Sequence, residues 1–180
     1  AHLLNIAQRV QTHSDEVKKG RWSRNIDFTF WDTPLIELFG QKMGIIGLGN
    51  TGMATAKIAL GFGITVCAYT SKKQDELPQG IEKIELNDLF KTCDIISLHC
   101  PLNSKTQGMI NKDSLSLMKP NVILLNTARG GLINEQDLAE ALNNELIYAA
   151  GIDVLTEEPP QADNPLVAAK NCFITPHFAW

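Results

Sequence analysis

The chain has 180 residues, of which 44% are hydrophobic and 20% are charged, and its formal net charge at neutral pH is −4. This length suits one domain of ordinary size, and 13 glycines with 8 prolines exclude a collagen-like or low-complexity chain. The mildly acidic charge and the lack of long basic runs predict no nucleic-acid partner. No apolar stretch reaches the roughly 18–20 residues of a membrane-spanning helix, so no membrane partner is predicted.

Residues 1–20 predict one amphipathic helix that ends at Gly20, because apolar residues recur along one face. Residues 21–42 are rich in aromatic side chains and contain Pro34, which discourages a continuous helix. From residue 43 onward, short apolar runs alternate with helical segments. The predicted strands are 43–47, 64–69, 94–99, 122–126, 147–152 and 172–175, and the predicted helices are 50–62, 87–93, 111–118 and 134–142.

Six apolar strands that alternate with helices are typical of a parallel sheet buried on both faces. The predicted fold class is therefore α/β, with a doubly wound parallel sheet in residues 43–180. We expect the whole chain to form one domain, in which 1–20 is a connecting helix and 21–42 an aromatic arm. Asn134 is predicted to cap the last helix, and Asp137 three residues later resembles the second half of a capping box.

A glycine-rich segment, Gly47-Leu48-Gly49-Asn50-Thr51-Gly52, follows the first strand of this series and opens a helix. Gly47 permits a tight turn, Gly49 removes a Cβ that would block a pyrophosphate, and Gly52 lets the helix approach the strand. Free amides at the start of the helix can then face phosphate oxygens. We therefore predict a Rossmann-like domain that binds a dinucleotide.

The second strand of such a domain should end in an acidic residue that binds the ribose 2′-hydroxyl. Here the sequence is Tyr69-Thr70-Ser71-Lys72-Lys73, which contains hydroxyl and ammonium groups but no acid. These groups could receive a 2′-phosphate, which favours tolerance of NADP beside NAD. The alternative is that Lys72 and Lys73 merely solvate a loop.

Three later segments each end a strand and carry a polar side chain of a different type. They contain Arg129, the acidic run from Asp153 to Glu158, and His177. Ligands of open α/β sheets bind at the carboxyl ends of strands, so these residues should face one crevice. An arginine can grip a substrate carboxylate, a histidine can transfer a proton, and a neighbouring carboxylate stabilises the charged imidazole. This set suits the chemistry of 2-oxo acids.

Two further sets of residues have competing interpretations. His99 is a rival base, but no carboxylate motif accompanies it, so we interpret it as structural. The four cysteines form no C-x-x-C pair and no zinc spacing, and we interpret them as reduced, buried thiols of a cytoplasmic protein, with Cys100 alone open to a reactive role. No metal site is predicted.

With these motifs the chain resembles the nucleotide-binding domain of the D-isomer-specific 2-hydroxyacid dehydrogenases, particularly the glycerate dehydrogenases (hydroxypyruvate reductases). The matching stretches cover nearly the whole chain: Gly44–Gly52, Leu98–Pro101, Met118–Asn134, Ala149–Pro159 and Thr175–Trp180. The resemblance implies one domain of a two-domain enzyme whose substrate domain is absent from this chain. It also implies NAD or NADP as cofactor, a small 2-oxo acid as substrate and a homodimer, in which the first helix and aromatic segment 22–31 are candidates for the interface.

The resemblance implies specific roles for individual residues. Arg129 resembles the substrate-binding arginine, His177 the general acid/base, and Glu158 the carboxylate that pairs with it, although Glu157 is an alternative partner. The other matching positions line the cofactor cleft: Asp153 at the nicotinamide carboxamide, Asn50 and Thr51 at the pyrophosphate, and Thr127, Ala128, Cys100 and Pro101 along the rest.

Two positions bear on specificity. Trp180, three residues after His177, is a feature in which the chain resembles the hydroxypyruvate-reducing members of the family. Thr70, in contrast, occupies the position where NAD-preferring members carry Asp. The expected reaction is hydride transfer between NAD(P)H and hydroxypyruvate or glyoxylate, which gives D-glycerate or glycolate. We expect this chain by itself to bind the cofactor but to turn over poorly. The alternative function is a dinucleotide-sensing binding protein, like the corepressors of the same family.

Overall fold

A computed structural model describes residues 1–179, and Trp180 lies outside the described residues. The strands are Lys42–Ile46 (β1), Thr65–Tyr69 (β2), Ile81–Lys83 (β3), Ile95–Leu98 (β4), Ile123–Asn126 (β5), Ala149–Ile152 (β6) and Cys172–Ile174 (β7). They form one parallel sheet of seven strands in the order β3-β2-β1-β4-β5-β6-β7. The predicted doubly wound, Rossmann-like α/β fold is confirmed.

Helices cover both faces of this sheet. Their bounds are His2–Gln8 (α1), Val10–Lys18 (α2), Asn50–Gly61 (α3), Leu86–Thr92 (α4), Lys112–Ser116 (α5) and Glu135–Asn143 (α6). Short 3-10 turns occupy Trp22–Arg24, Gln74–Glu76 and Gly130–Leu132. None of these helices is long and apolar enough to cross a membrane.

Two hydrophobic cores lie on opposite faces of the sheet. In β4, Ile95 belongs to the core covered by α1 and α3, whereas Ile96 and Leu98 belong to the core covered by α4, α5 and α6. Successive side chains of a strand point to opposite faces, so a sheet covered on both sides needs apolar residues at nearly every strand position. This is why the continuous apolar runs identified the strands.

The third strand, Ile81–Lys83, was not predicted. It pairs only with β2 at the edge of the sheet, and only Ile81 is buried. Because Glu82 and Lys83 are polar and the strand has three residues, it lacks the apolar run that marks the others. A short edge strand needs little burial, so composition does not reveal it.

The prediction of one continuous helix in residues 1–20 was wrong. Arg9 adopts a left-handed conformation, with φ of 48°, and separates α1 from α2. Its guanidinium lies 4.4 Å from the centre of the Phe173 ring and donates a hydrogen bond to Asn171. The bend lets α1 bury Ile6 and Ala7 against the sheet, whereas α2 buries no residue.

The predicted cap of α6 is half formed. The side-chain oxygen of Asn134 accepts a hydrogen bond from the amide of Asp137 at 3.2 Å. The carboxylate of Asp137 does not return to Asn134; it accepts a hydrogen bond from the amide of Lys112 at 2.9 Å. Asp137 therefore joins α6 to α5 and does not complete a capping box.

Candidate active site

The glycine loop connects β1 to α3, and its three glycines meet different surroundings. A Cβ at Gly47, whose φ is +94°, would lie 2.7 Å from the amide nitrogen of Cys100. A Cβ at Gly52 would lie 2.2 Å from the carbonyl oxygen of Gly47. A Cβ at Gly49 would meet no atom of the described chain within 4 Å. The fold therefore requires Gly47 and Gly52, whereas the space at Gly49 is left open for a ligand.

The start of α3 offers hydrogen-bond donors to that open space. Gly49 is the N-cap residue, and no side chain within residues 1–179 caps the helix. The first amides of a helix have no partner inside it, and here Asn50 and Thr51 are exposed to solvent. An uncapped helix start beside an open glycine fits the pyrophosphate of a dinucleotide.

The loop after β2 contains the four residues predicted to meet the 2′-position of the cofactor. Ser71, Lys72 and Lys73 are exposed, and the hydroxyl of Thr70 accepts a hydrogen bond from the amide of Lys72 at 3.3 Å. Two residues that sequence reasoning missed also reach this loop. Lys83 donates from its ammonium to the carbonyl of Lys72 at 2.7 Å, and Glu76 accepts from the amide of Lys73 at 2.6 Å.

The segment after β4 contains His99, Cys100 and Pro101. Burial lowers the pKa of His99 to about 4, and its Nε2 lies 2.9 Å from the hydroxyl of Ser97. A neutral, half-buried imidazole is compatible with the structural interpretation of His99. Burial also raises the pKa of the Cys100 thiol, which opposes the reactive thiolate considered as an alternative. Pro101 is exposed beside it.

The remaining cysteines are reduced within the described part of the chain. Cys67 and Cys93 are buried, and their sulfur atoms lie 3.4 Å apart. Burial raises the pKa of Cys172 to about 12. Residues 1–179 contain no cluster of three or more His, Cys, Asp or Glu side chains that could hold a metal ion.

Arg129 lies in the turn that follows β5, and a buried asparagine shapes this turn. Asn126 is fully buried; its amide nitrogen donates to the carbonyl of Arg129 at 2.9 Å, and its oxygen accepts from the amide of Ala128 at 3.0 Å. The guanidinium of Arg129 is exposed and donates one hydrogen bond to the carbonyl of Ala128. Thr127 is exposed in the same turn. Four guanidinium donors are thus available to an anionic group.

The Arg129 turn is packed directly against the segment that follows β6. A Cβ at Gly130 would lie 2.0 Å from the carbonyl carbon of Leu155, so the two backbones touch. In the same segment, the amide of Leu155 donates to Oε1 of Glu158 at 2.8 Å. Contact between the two segments therefore fixes the Arg129 turn relative to Glu158.

His177 follows β7, and its Nδ1 lies 2.5 Å from Oε2 of Glu158. Hydrogen bonds from His177 and from the amide of Leu155 hold the pKa of the Glu158 carboxyl below its usual value. The neighbouring Glu157 instead accepts a hydrogen bond from Gln161 at 2.7 Å. The geometry pairs His177 with Glu158 and not with the alternative, Glu157.

Asp153 ends the β6 segment and is 2% exposed. Its carboxylate accepts hydrogen bonds from the hydroxyl of Thr175 at 2.5 Å and from the amides of Phe178 at 3.2 Å and Ala179 at 2.9 Å. Burial opposes its ionisation, but these hydrogen bonds outweigh burial and lower the pKa of Asp153. Sequence reasoning assigned Asp153 to the cofactor but did not predict a role for Thr175. The only signal for Thr175 in the sequence is its position immediately before Pro176 and His177.

A cavity of about 760 Å³ lies between α1, α3 and the sheet. It is lined mostly by apolar side chains and reaches His99, Thr127, Asp153 and Thr175 at the carboxyl edge. Its described lining does not include Gly49, Arg129, Glu158 or His177. The candidate site is therefore the open edge of the sheet, which borders this cavity and does not coincide with it.

Comparison with known proteins identifies the family of the chain. A family model described as "D-isomer specific 2-hydroxyacid dehydrogenase, NAD binding domain" matches residues 1–179. A hydroxypyruvate reductase from Blautia hydrogenotrophica is 49% identical over 181 residues, which cover 100% of this chain and 56% of that protein. A glycerate dehydrogenase from Methylorubrum extorquens is 37% identical over 180 residues, covering 99% and 55%.

Solved structures share the fold of this chain. A D-lactate dehydrogenase with NAD⁺ from Lactobacillus jensenii matches with a TM-score of 0.82 and 32% identity, covering 98% of this chain and 56% of that one. An acyclic imino acid reductase in complex with NADPH and D-Arg matches with a TM-score of 0.83 and 34% identity, covering 99% and 55%. The chain spans about half the length of the relatives it matches. It belongs to the D-isomer-specific 2-hydroxyacid dehydrogenase family, as an NAD-binding domain.

Proposed function

We propose that this chain is the cofactor domain of an NAD(P)-dependent D-2-hydroxyacid dehydrogenase that reduces hydroxypyruvate or glyoxylate to D-glycerate or glycolate. The observation that carries the proposal is the contact between His177 and Glu158, at 2.5 Å, on the strand edge that also holds Arg129. The names of the relatives, a hydroxypyruvate reductase and a glycerate dehydrogenase, support the substrate class.

His177 is the proposed general acid. Its Nδ1 faces the carboxylate of Glu158, so Nε2 is the ring nitrogen left to exchange a proton with the carbonyl oxygen of a substrate. Glu158 is itself held by the amide of Leu155; it orients the imidazole through Nδ1 and stabilises the imidazolium until the proton passes to the substrate, which leaves the ring neutral. A bound nicotinamide would supply the hydride that arrives at the carbonyl carbon.

Arg129 is the proposed substrate-binding residue. Its exposed guanidinium uses one donor on Ala128 and can bind a substrate carboxylate in a fork with the others. The same positive charge stabilises the negative charge that develops on the carbonyl oxygen during reduction. The role of Asp153 at the nicotinamide carboxamide remains part of the proposal, since three hydrogen bonds leave room for one further donor.

Either NAD or NADP is proposed as cofactor, with tolerance of NADP through the loop from Thr70 to Lys73. The exposed hydroxyl and ammonium groups of this loop support that view, and Lys83 adds a third ammonium nearby. Glu76, whose carboxylate accepts a hydrogen bond from the amide of Lys73, would repel a 2′-phosphate and so reduces the preference for NADP.

The substrate domain of the proposed enzyme lies outside this chain, so residues 1–180 alone should bind dinucleotide and turn over poorly. Residues 1–20 and the aromatic segment 22–31 are the proposed homodimer interface, because Trp22, Ile26, Phe28 and Trp31 are exposed there. A cytoplasmic location is proposed as well.

A spectrophotometric screen of the full-length protein tests this function. Hydroxypyruvate, glyoxylate, pyruvate and phosphohydroxypyruvate would each be offered with NADH and with NADPH. Turnover that is fastest with hydroxypyruvate or glyoxylate is expected. Dinucleotide binding without turnover of any of the four acids would contradict the proposal and favour the corepressor-like sensor.

A further inference from the structure

Three polar side chains from distant parts of the chain form a hydrogen-bonded series beneath the turn that holds His177. Nε2 of His2 lies 3.0 Å from the hydroxyl oxygen of Thr175, and that hydroxyl donates to Oδ1 of Asp153 at 2.5 Å. The same carboxylate accepts from the amides of Phe178 and Ala179. Asp153 therefore holds the chain both before and after His177.

The direction of each hydrogen bond follows from the number of protons. The hydroxyl of Thr175 has one proton, which it gives to the carboxylate of Asp153, so Nε2 of His2 must donate to the Thr175 oxygen. Burial lowers the pKa of His2, although Asp153 acts in the opposite direction. His2 thus suits a neutral imidazole that carries its proton on Nε2.

The place of His2 is built into the sheet. A Cβ at Gly151 of β6 would lie 2.6 Å from the Cβ of His2, so the lack of a side chain at position 151 makes room for this histidine. His2 belongs to α1, whose residues pack on β5 and β6. The series therefore connects α1 to the candidate active site through side chains that are at least half-buried.

The backbone of His177 needs such support. Its φ is 51°, a left-handed conformation that non-glycine residues rarely adopt unless surrounding contacts hold it. The amide of His177 bonds to the carbonyl of Thr175 at 3.0 Å, which makes a tight turn between Thr175 and the amides of Phe178 and Ala179. Both ends of this turn are bound to the carboxylate of Asp153.

We propose that His2 and Thr175 are positioning residues of the enzyme: they orient the Asp153 carboxylate, which holds the turn that aims His177 at the substrate. This proposal rests on the proposed function of His177 as the general acid. Neither residue touches substrate or cofactor, and each acts through Asp153. The consequence is that a side chain of the first helix controls the acid at the other end of the chain.

The test uses matched substitutions in the full-length protein. Thr175→Val keeps the shape but removes the hydroxyl, whereas Thr175→Ser keeps the hydroxyl. His2→Phe removes the donor, whereas His2→Gln keeps one. Three quantities are measured for each variant: kcat with the best 2-oxo acid of the screen, the Kd of NADH, and the NMR signals of the His177 imidazole.

Thr175→Val should lower kcat by about 10- to 100-fold, because a misplaced acid loses the aligned geometry of proton transfer. The Kd of NADH should rise by a smaller factor than kcat falls, since only the proposed contact of Asp153 with the carboxamide is disturbed and the phosphate contacts of the glycine loop are untouched. The His177 signals should shift, Thr175→Ser should recover most of the loss, and His2→Phe should lose more than His2→Gln.

Two results would overturn the inference. One is a Thr175→Val protein with wild-type kcat and unchanged His177 signals; the other is a Thr175→Ser protein as impaired as Thr175→Val. If the wild-type protein turns over none of the acids, the proposed function fails. The NMR signals of His177 still decide in that case whether the hydroxyl of Thr175 positions the imidazole.

Discussion

The candidate functional residues at the two ends of the sheet differ in how far the protein itself holds them. At the β5–β7 end, Glu158 and His177 contact each other, and Asp153 is buried and accepts three hydrogen bonds. At the β2 end, the loop from Thr70 to Lys73 is largely exposed and bonds mainly to its own neighbours. The groups proposed for proton transfer are thus held by the protein before any ligand arrives, whereas the groups proposed to meet the 2′-position of the cofactor are left exposed.

The largest effect is expected when the charge of Glu158 is removed. Glu158→Gln keeps the size of the side chain but removes the negative charge that faces Nδ1 of His177. We expect kcat to fall by about 100- to 1,000-fold, with the Kd of NADH almost unchanged. Glu157→Gln is the matched control and should keep wild-type kcat, because Glu157 bonds to Gln161 and not to His177. Equal effects of the two substitutions would contradict the assignment.

The same pair has a pH dependence with a defined sign. The folded-state pKa of Glu158 is depressed, so its contribution to stability is complete above the ordinary carboxyl pKa and is lost as pH falls through the lowered value. The difference in unfolding free energy between wild type and Glu158→Gln should therefore shrink in acid. Chemical denaturation between neutral pH and pH about 3 measures this. A difference that grows in acid would refute it.

The glycine loop offers a second contrast, between space left for a ligand and space used by the fold. Gly49→Ala should leave the free energy of unfolding unchanged but raise the Kd of NADH by about 100-fold. The cause is the loss of two hydrogen bonds to phosphate, each of about 1.5 kcal/mol. Gly52→Ala should destabilise the fold by about 1–3 kcal/mol, since its Cβ meets the carbonyl of Gly47.

Calorimetry and thermal unfolding of both variants separate the two effects. A Gly49→Ala protein that binds NADH as tightly as wild type would show that the open space is not the pyrophosphate site.

The exposed loop gives a smaller effect. Replacing both Lys72 and Lys73 by alanine should raise the Kd of NADPH by about tenfold, which is a loss of about 1.4 kcal/mol of binding free energy. The Kd of NADH should rise by less than about twofold. Lys91→Ala, at the end of α4, is the control for a general loss of positive charge. A wild-type preference for NADH of about 100-fold or more would contradict the role of this loop.

The smallest effect concerns His99, in the middle of the sheet between the two ends. Its folded-state pKa of about 4 lies below the ordinary value of 6.5, so the unfolded chain binds more protons between these values. The contribution of neutral His99 to the free energy of unfolding is therefore complete above pH about 6.5 and is lost as the pH falls toward 4. His99→Gln should abolish about 1 kcal/mol of this dependence. Denaturation curves at pH 7 and at pH about 5.5 provide the measurement, and a variant whose unfolding free energy changes between these pH values as much as that of wild type would contradict it.

The sequence predicted the fold well because the sheet is buried on both faces. Runs such as Ile95–Leu98 are buried throughout and apolar except for Ser97, and they stand out against the helices. The edge strand Ile81–Lys83 carries no such constraint. The bend at Arg9 depends on Phe173 and Asn171, which are more than 150 residues away, so no local pattern reports it.

For the candidate site, sequence predicted the residues that end strands but not their supports. Arg129 and His177 follow apolar strands and are conspicuous. Asn126, Thr175 and His2 act through hydrogen bonds whose partners become visible only when the strands are placed side by side. The roles of the cofactor-lining residues stay predictions until a dinucleotide is bound.

The central claim is that His177, paired with Glu158, supplies the proton for reduction of a 2-oxo acid. The most direct test is single-turnover oxidation of bound NADH by hydroxypyruvate in wild type and in His177→Gln. We expect a rate at least about 1,000-fold lower in the variant, with an unchanged Kd of NADH. A variant that retains most of the wild-type rate would contradict the claim.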